Sequence, residues 1–146
     1  MRYELYMGHA LVEAADAVAR GERADGAVAV LDDAMVARGS DQVLTTGDPT
    51  AHAVVVTIRE ASKRLGRVSL TGLTVFSVIE PCAMCVGALL QSDADGLVYA
   101  LPDARDGACG SAYQLAGTNG TARRLRVVSG ILREEAEDLQ AANSGR

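Results

Sequence analysis

Apolar and polar positions change rhythm several times along the 146 residues, and each change marks an element. Leu5, Leu11, Val12, Ala15, Val18 and Ala19 recur at helical spacing until Gly21 stops the run, which predicts a helix from about Tyr3 to Arg20. Ala27 to Leu31 is a continuous apolar stretch of strand length. Asp32-Asp33 supplies a turn and Met35 to Arg38 begins a second strand, so a hairpin is expected. Thr45 to Thr50 reads as a loop. Within it, Asp48 and Pro49 have the chemistry of an N-cap and a first helical residue. They place a helix from about Thr50 to Leu65, with Val55, Ile58 and Leu65 inward and Gly66 at its end.

Leu73 to Ile79 is apolar and rich in β-branched residues, as a central strand covered on both faces requires. A helix is predicted from Pro81 to about Gln91, and a strand over Leu97 to Ala100. Pro102 to Gly120, rich in glycine, aspartate and small residues, reads as a loop with a short helix near Tyr113. Leu125 to Ser129 is a last strand, and Ile131 to about Ala142 a last, acidic helix. This alternation predicts an α/β fold, a three-layer α/β/α sandwich around a mixed sheet of about five strands. The length suits one domain, residues 1–146.

With 49% apolar and 23% charged residues the composition is that of a soluble globular protein. The net charge of −5 runs against the basic face expected of a nucleic-acid binder and favours a small-molecule substrate. Two basic clusters, Lys63, Arg64 and Arg67, then Arg123, Arg124 and Arg126, read as solvated faces. Glu4, Glu13 and Asp16 argue against a signal peptide, and the longest apolar stretch, Cys82 to Leu90, is too short to span a bilayer. A soluble, cytoplasmic protein is expected. In a reducing compartment a C-x-x-C pair points to metal binding or redox chemistry rather than to a structural disulfide.

Cys82 and Cys85 stand three apart at the start of a predicted helix, where sulfurs share one face and the helix dipole favours thiolates. His52 offers an imidazole from the start of another. A Cys2His zinc set leaves one coordination position for water, whereas structural sites use four protein ligands. Cys109 is the one serious candidate for a fourth. Taken singly, the cysteines also read as a redox pair or small core residues, and His52 as a hydrogen-bonded core histidine.

The combination resembles the zinc-dependent cytidine and nucleobase deaminases, whose signature is H-x-E followed by P-C-x-x-C. Here it reads His52-Ala53-Val54, then 26 residues, then Pro81-Cys82-Ala83-Met84-Cys85. The segments Asp48-Pro49-Thr50-Ala51-His52-Ala53 and Glu80-Pro81-Cys82 resemble the branch of bacterial tRNA adenosine deaminases and guanine deaminases. So do Gly26-Ala27-Val28, Gly107-Ala108-Cys109-Gly110-Ser111 and Gly130-Ile131-Leu132. The resemblance implies zinc held by His52, Cys82 and Cys85 with water in the fourth position. It implies a pocket lined by backbone around Ala53 and Pro81, and a homodimer packed around the Cys82–Leu90 helix. Asp41 falls where this branch often has an asparagine that contacts base or sugar, and Asp103 and Asp106 lie in the loop bordering the pocket.

The same resemblance exposes a departure. The family's glutamate, which moves protons without binding zinc, is replaced by Val54. Three explanations are open: a substitution made in an otherwise active deaminase; natural loss of activity, leaving a zinc-binding partner or regulatory subunit; or transfer of proton shuttling to Asp103, Asp106 or Glu135. The second resembles the non-catalytic subunit of the eukaryotic wobble adenosine deaminase, which has a valine there and keeps zinc. The expected function is hydrolytic deamination of a free nucleobase, nucleoside or related amino-heterocycle, impaired by Val54. The tRNA alternative is disfavoured by the acidic balance, by Phe76 being the only phenylalanine, by the absence of tryptophan and by Glu134, Glu135, Glu137 and Asp138 on the last helix.

Overall fold

Asp32 and Asp33 adopt left-handed backbone conformations, φ 51° and 59°, and so turn the chain tightly between β1 (Gly26–Leu31) and β2 (Ala34–Ser40). The computed structural model describes residues 1–117 and 123–143. The remaining elements are α1 (Tyr3–Ala19), α2 (Val43–Thr46), α3 (Ala53–Leu65), β3 (Thr74–Ile79), α4 (Ala83–Gln91), β4 (Gly96–Leu101), β5 (Arg126–Ser129) and α5 (Arg133–Asn143). The sheet order is β2-β1-β3-β4-β5. β1 pairs antiparallel with β2 and β3, while β3, β4 and β5 run parallel, so the sheet is mixed.

Strand alternation divides the core in two. Ala27, Ala29, Val75, Leu97 and Tyr99 face a layer containing Ala53, Val54 and Ala61 of α3 and Cys85, Val86 and Leu89 of α4. Val28, Val30, Phe76, Val78, Val98 and Ala100 face the layer of α1 and α5. The three-layer sandwich expected from the alternation of elements is therefore present.

Several local expectations are corrected. The buried face of α1 is Tyr6, Met7, Ala10, Glu13, Ala14 and Ala17, whereas Leu5 and Val12 are exposed. Close approach decides this. A Cβ on Gly26 would collide with the backbone of Ala10 and Ala14, so the small residues of α1 must face β1. Asp48 and Pro49 do not start α3. The Asp48 carboxylate instead accepts the Thr50 amide at 2.8 Å and its hydroxyl at 2.7 Å, forming a local turn. α3 begins at Ala53 with His52 as N-cap, and its fully buried residues are Ala53, Val54, Thr57 and Ala61. Val55, Ile58 and Leu65 are only partly buried. Part of the stretch expected as loop is α2, whose Leu44 and Thr45 amides donate to the buried Glu22 carboxylate. No helix forms at Tyr113; Cys109 and Gln114 make an isolated antiparallel bridge instead. The end of that predicted loop, from residue 118, lies outside the described residues.

Candidate metal centre

The starts of α3 and α4 meet, which brings together two segments distant in sequence. His52 and Cys82 are both N-caps with extended backbones, φ −69° and −75°, and neither side chain makes a capping hydrogen bond. Cys85 lies one turn into α4 and is buried, while Cys82 and His52 are half-buried. The Sγ atoms of Cys82 and Cys85 stand 3.5 Å and 3.6 Å from Nδ1 of His52. Zinc bonds of about 2.3 Å to sulfur and about 2.0–2.1 Å to nitrogen in a tetrahedron demand an S···N edge of roughly 3.5 Å. The donor set fits zinc in both chemistry and spacing.

The three groups interact electrostatically. Hydrogen bonding from Cys85 lowers the Cys82 thiol to about 3; burial opposes this and His52 adds to it. Cys85 is raised by its neighbour Cys82 and by burial. His52 is raised chiefly by its hydrogen bond with Cys82, against burial. Among the described residues these three are the one His/Cys/Asp/Glu group able to hold a metal ion, and Cys109 is not a member. Burial, with Glu80 nearby, pushes the Cys109 thiol up to about 12.

Glu80 organises the loop on the other side of the ligands. It is buried, accepts the amides of Asp103 at 3.0 Å, Cys109 at 2.9 Å and Ser111 at 3.2 Å, and also takes the Ser111 hydroxyl. Gly107 must be glycine here, since a Cβ would collide with the Glu80 carboxyl. Sequence reasoning passed over Glu80 as part of a motif; its signal was a carboxylate ending an apolar strand directly before Pro81.

The remaining sequence-derived site residues divide into two groups. Ala53, Val54 and Pro81 are buried beside the ligands. Val54 is 2% exposed. Asp41 is buried, with Oδ1 lacking a hydrogen-bond partner, and its charge is felt at His52. Asp103 is engaged: Oδ1 accepts the amides of Arg105 and Asp106, and Oδ2 meets Arg23 at 3.1 Å. Asp106 is exposed on that turn. Glu135 is exposed on α5, in the layer on the opposite face of the sheet, and is poorly placed to move protons at the ligands.

Asp25 was not singled out from sequence. It is buried, and Oδ1 accepts the amides of Gly26 at 2.9 Å and Ile79 at 3.2 Å. Burial, only partly offset by Arg23 and these amides, lifts its carboxyl from 3.8 to about 7. The folded chain thus binds this proton more tightly than the unfolded one. The associated stability is complete below the unfolded value and is lost as pH rises through about 7. Asp25→Asn keeps an oxygen for both amides and removes the titration. It is expected to raise the melting temperature more at pH 8 than at pH 5, as measured by differential scanning calorimetry; an equal shift at both would contradict this.

Comparison with known proteins places these residues in context. The cytidine and deoxycytidylate deaminase zinc-binding region matches residues 1–101. The tRNA-specific adenosine deaminase of Bacillus subtilis is 36% identical over 139 residues, covering 95% of this chain and 86% of that protein. The guanine deaminase of the same organism is 39% identical over 101 residues, covering 68% and 65%. A structure from studies of A-to-I editing by tRNA:A34 deaminases at the wobble position of transfer RNA superposes with a TM-score of 0.85 at 34% identity. It covers 92% of this chain and 97% of that one.

Proposed function

The chain belongs to the cytidine and deoxycytidylate deaminase zinc-binding family, and from that premise we propose that it is a hydrolytic deaminase domain directed at adenosine in tRNA, its chemistry impaired by Val54. The observation that carries the substrate is the closeness of the structural match. The tRNA:A34 deaminase structure superposes with a TM-score of 0.85 at 34% identity, the guanine deaminase of Bacillus subtilis with 0.70 at 31%. This reverses the order expected from net charge, because bulk charge describes the whole surface whereas phosphate contact depends on the rim of one site.

Within this reading residues 1–146 act as one domain, and His52, Cys82 and Cys85 hold one zinc. Zinc bound there supplies an activated water for attack on the amino-bearing carbon of the base. Buried Ala53 and Pro81 wall the pocket, Asp103 and Asp106 border it, and Asp41 offers its unsatisfied oxygen to the base. Val54 occupies the proton-shuttle position and has no proton to move. A homodimer packed on the outer side of α4, where Ala83, Met84 and Gly87 are exposed, completes the proposal. Among the described residues no helix is long and apolar enough to cross a membrane.

Asp41 favours a second reading, a free amino-purine. An ionised carboxylate accepts from ring N–H and amino groups but cannot donate, which suits a base rich in donors. Binding separates the two. The tRNA reading expects a complex with unmodified tRNA that weakens steeply as salt is raised, and no measurable binding of guanine. Guanine binding without any tRNA complex, measured by calorimetry, would transfer the proposal to the second reading.

A further inference from the structure

One arginine beside the ligand end of the sheet, Arg23, stands outside both basic clusters visible in the sequence. Arg23, in the connection between α1 and β1, meets Asp103 on the turn after β4, so one ion pair joins two segments flanking the ligand end of the sheet. Asp103 in turn donates its amide to Glu80, two residues before Cys82, and the Arg23 side chain is 45% exposed. Arg20, three residues earlier, donates to the Ser40 hydroxyl and the Asp41 carbonyl, and Arg105 is exposed on the Asp103 turn. An open crevice of about 220 Å³ borders the pair, between Arg23, Pro102, Asp103 and Gln140.

The neighbouring carboxylates have hydrogen-bond partners other than Arg23. Glu22 is held by the Leu44 and Thr45 amides, Asp25 by those of Gly26 and Ile79, and Oδ1 of Asp103 by those of Arg105 and Asp106. The single contact to Oδ2 of Asp103 is a partly exposed ion pair, a class worth about 0–1 kcal/mol. A guanidinium–phosphate pair is stronger, because both partners are charged and two parallel hydrogen bonds can form.

We propose that Arg23 is a specificity-determining residue for phosphorylated substrate: it exchanges Asp103 for a phosphate adjoining the base that enters the site. The assignment deepens the tRNA reading, on which its choice of polynucleotide rests, but the recognised chemistry is a nucleotide phosphate, from RNA or from a free nucleotide. The test is equilibrium binding of the zinc-loaded full chain to a fluorescent RNA hairpin with an unpaired adenosine, with AMP and adenosine as competitors. Arg23→Gln is expected to weaken the hairpin and AMP about tenfold and to reduce the hairpin's salt slope by about one, leaving adenosine unchanged. Arg23→Lys recovers part of the loss, and Asp103→Asn tightens binding a few-fold by releasing the guanidinium. Arg23-dependent preference for AMP over adenosine without hairpin binding would sink the tRNA reading and leave the Arg23 assignment standing. Unchanged affinities and slope in Arg23→Gln, no preference for phosphorylated ligands, or weaker binding by Asp103→Asn would each overturn it.

Discussion

Val54→Glu is expected to raise the rate of inosine formation in tRNA by at least about 10²-fold and up to about 10⁴-fold. That is the usual contribution of one positioned acid–base group, on the order of 3–5 kcal/mol in the barrier. The residue lies two positions after His52, in the first turn of α3 and in the same buried cluster as Cys85. A carboxyl there stands where protons must be collected and delivered, while none of the three ligands is altered. The same substitution should cost stability. Val54 is 2% exposed among apolar neighbours, and a larger, ionisable side chain needs room and a partner. Activity should therefore rise as the melting temperature falls. Val54→Gln, equal in size but unable to carry a proton, separates the two effects: it should lose stability without gaining rate. The chain with Val54 should form almost no inosine. Equal silence of both forms on tRNA, adenosine and guanine would defeat the deaminase reading. A fast reaction with Val54 in place would mean that another group carries the proton, with Asp41, buried and partly unsatisfied, the first to substitute.

The layers of the fold and the three ligands were legible because both are written in local pattern. Continuous apolar runs in β1, β3 and β4 mark strands covered on both faces, and the helices between them imply the layers. Cys82 and Cys85 announce themselves by spacing and by the proline before them. What failed was information that lives in contacts. Leu5 and Val12 of α1 end up in solvent, because the close approach at Gly26 sets Ala10 and Ala14 against β1. Asp48 has the chemistry of a helix cap and uses it, but on a turn that leaves His52 extended at the true helix start. Glu80 serves amides 23 to 31 residues away, and Arg23 finds Asp103 across 80 positions. No local periodicity encodes such pairs. The acidic net charge averages over a surface on which Arg20, Arg23 and Arg105 are gathered near one end of the sheet.

Removing a ligand should abolish metal binding outright. The purified chain is expected to carry about one zinc, the stoichiometry of a Cys2His set with an open position, and His52→Ala or Cys82→Ala should reduce this to background in elemental analysis. The geometry makes the loss severe. Nδ1 of His52 lies within 3.6 Å of both sulfurs, so the imidazole closes the triangle, and without it only two thiolates from one helix turn remain. The ligands also join two distant parts of the chain, the start of α3 and the start of α4. Metal that binds only the folded arrangement stabilises it by mass action, so chelation should lower the melting temperature of the unaltered chain. In His52→Ala a chelator should produce no further change. Val54→Glu, which spares every donor atom, must retain its zinc, which distinguishes a lost ligand from a disturbed helix start. A metal-free but folded native chain, or variants that keep full zinc, would contradict the assignment of His52, Cys82 and Cys85 as the ligands.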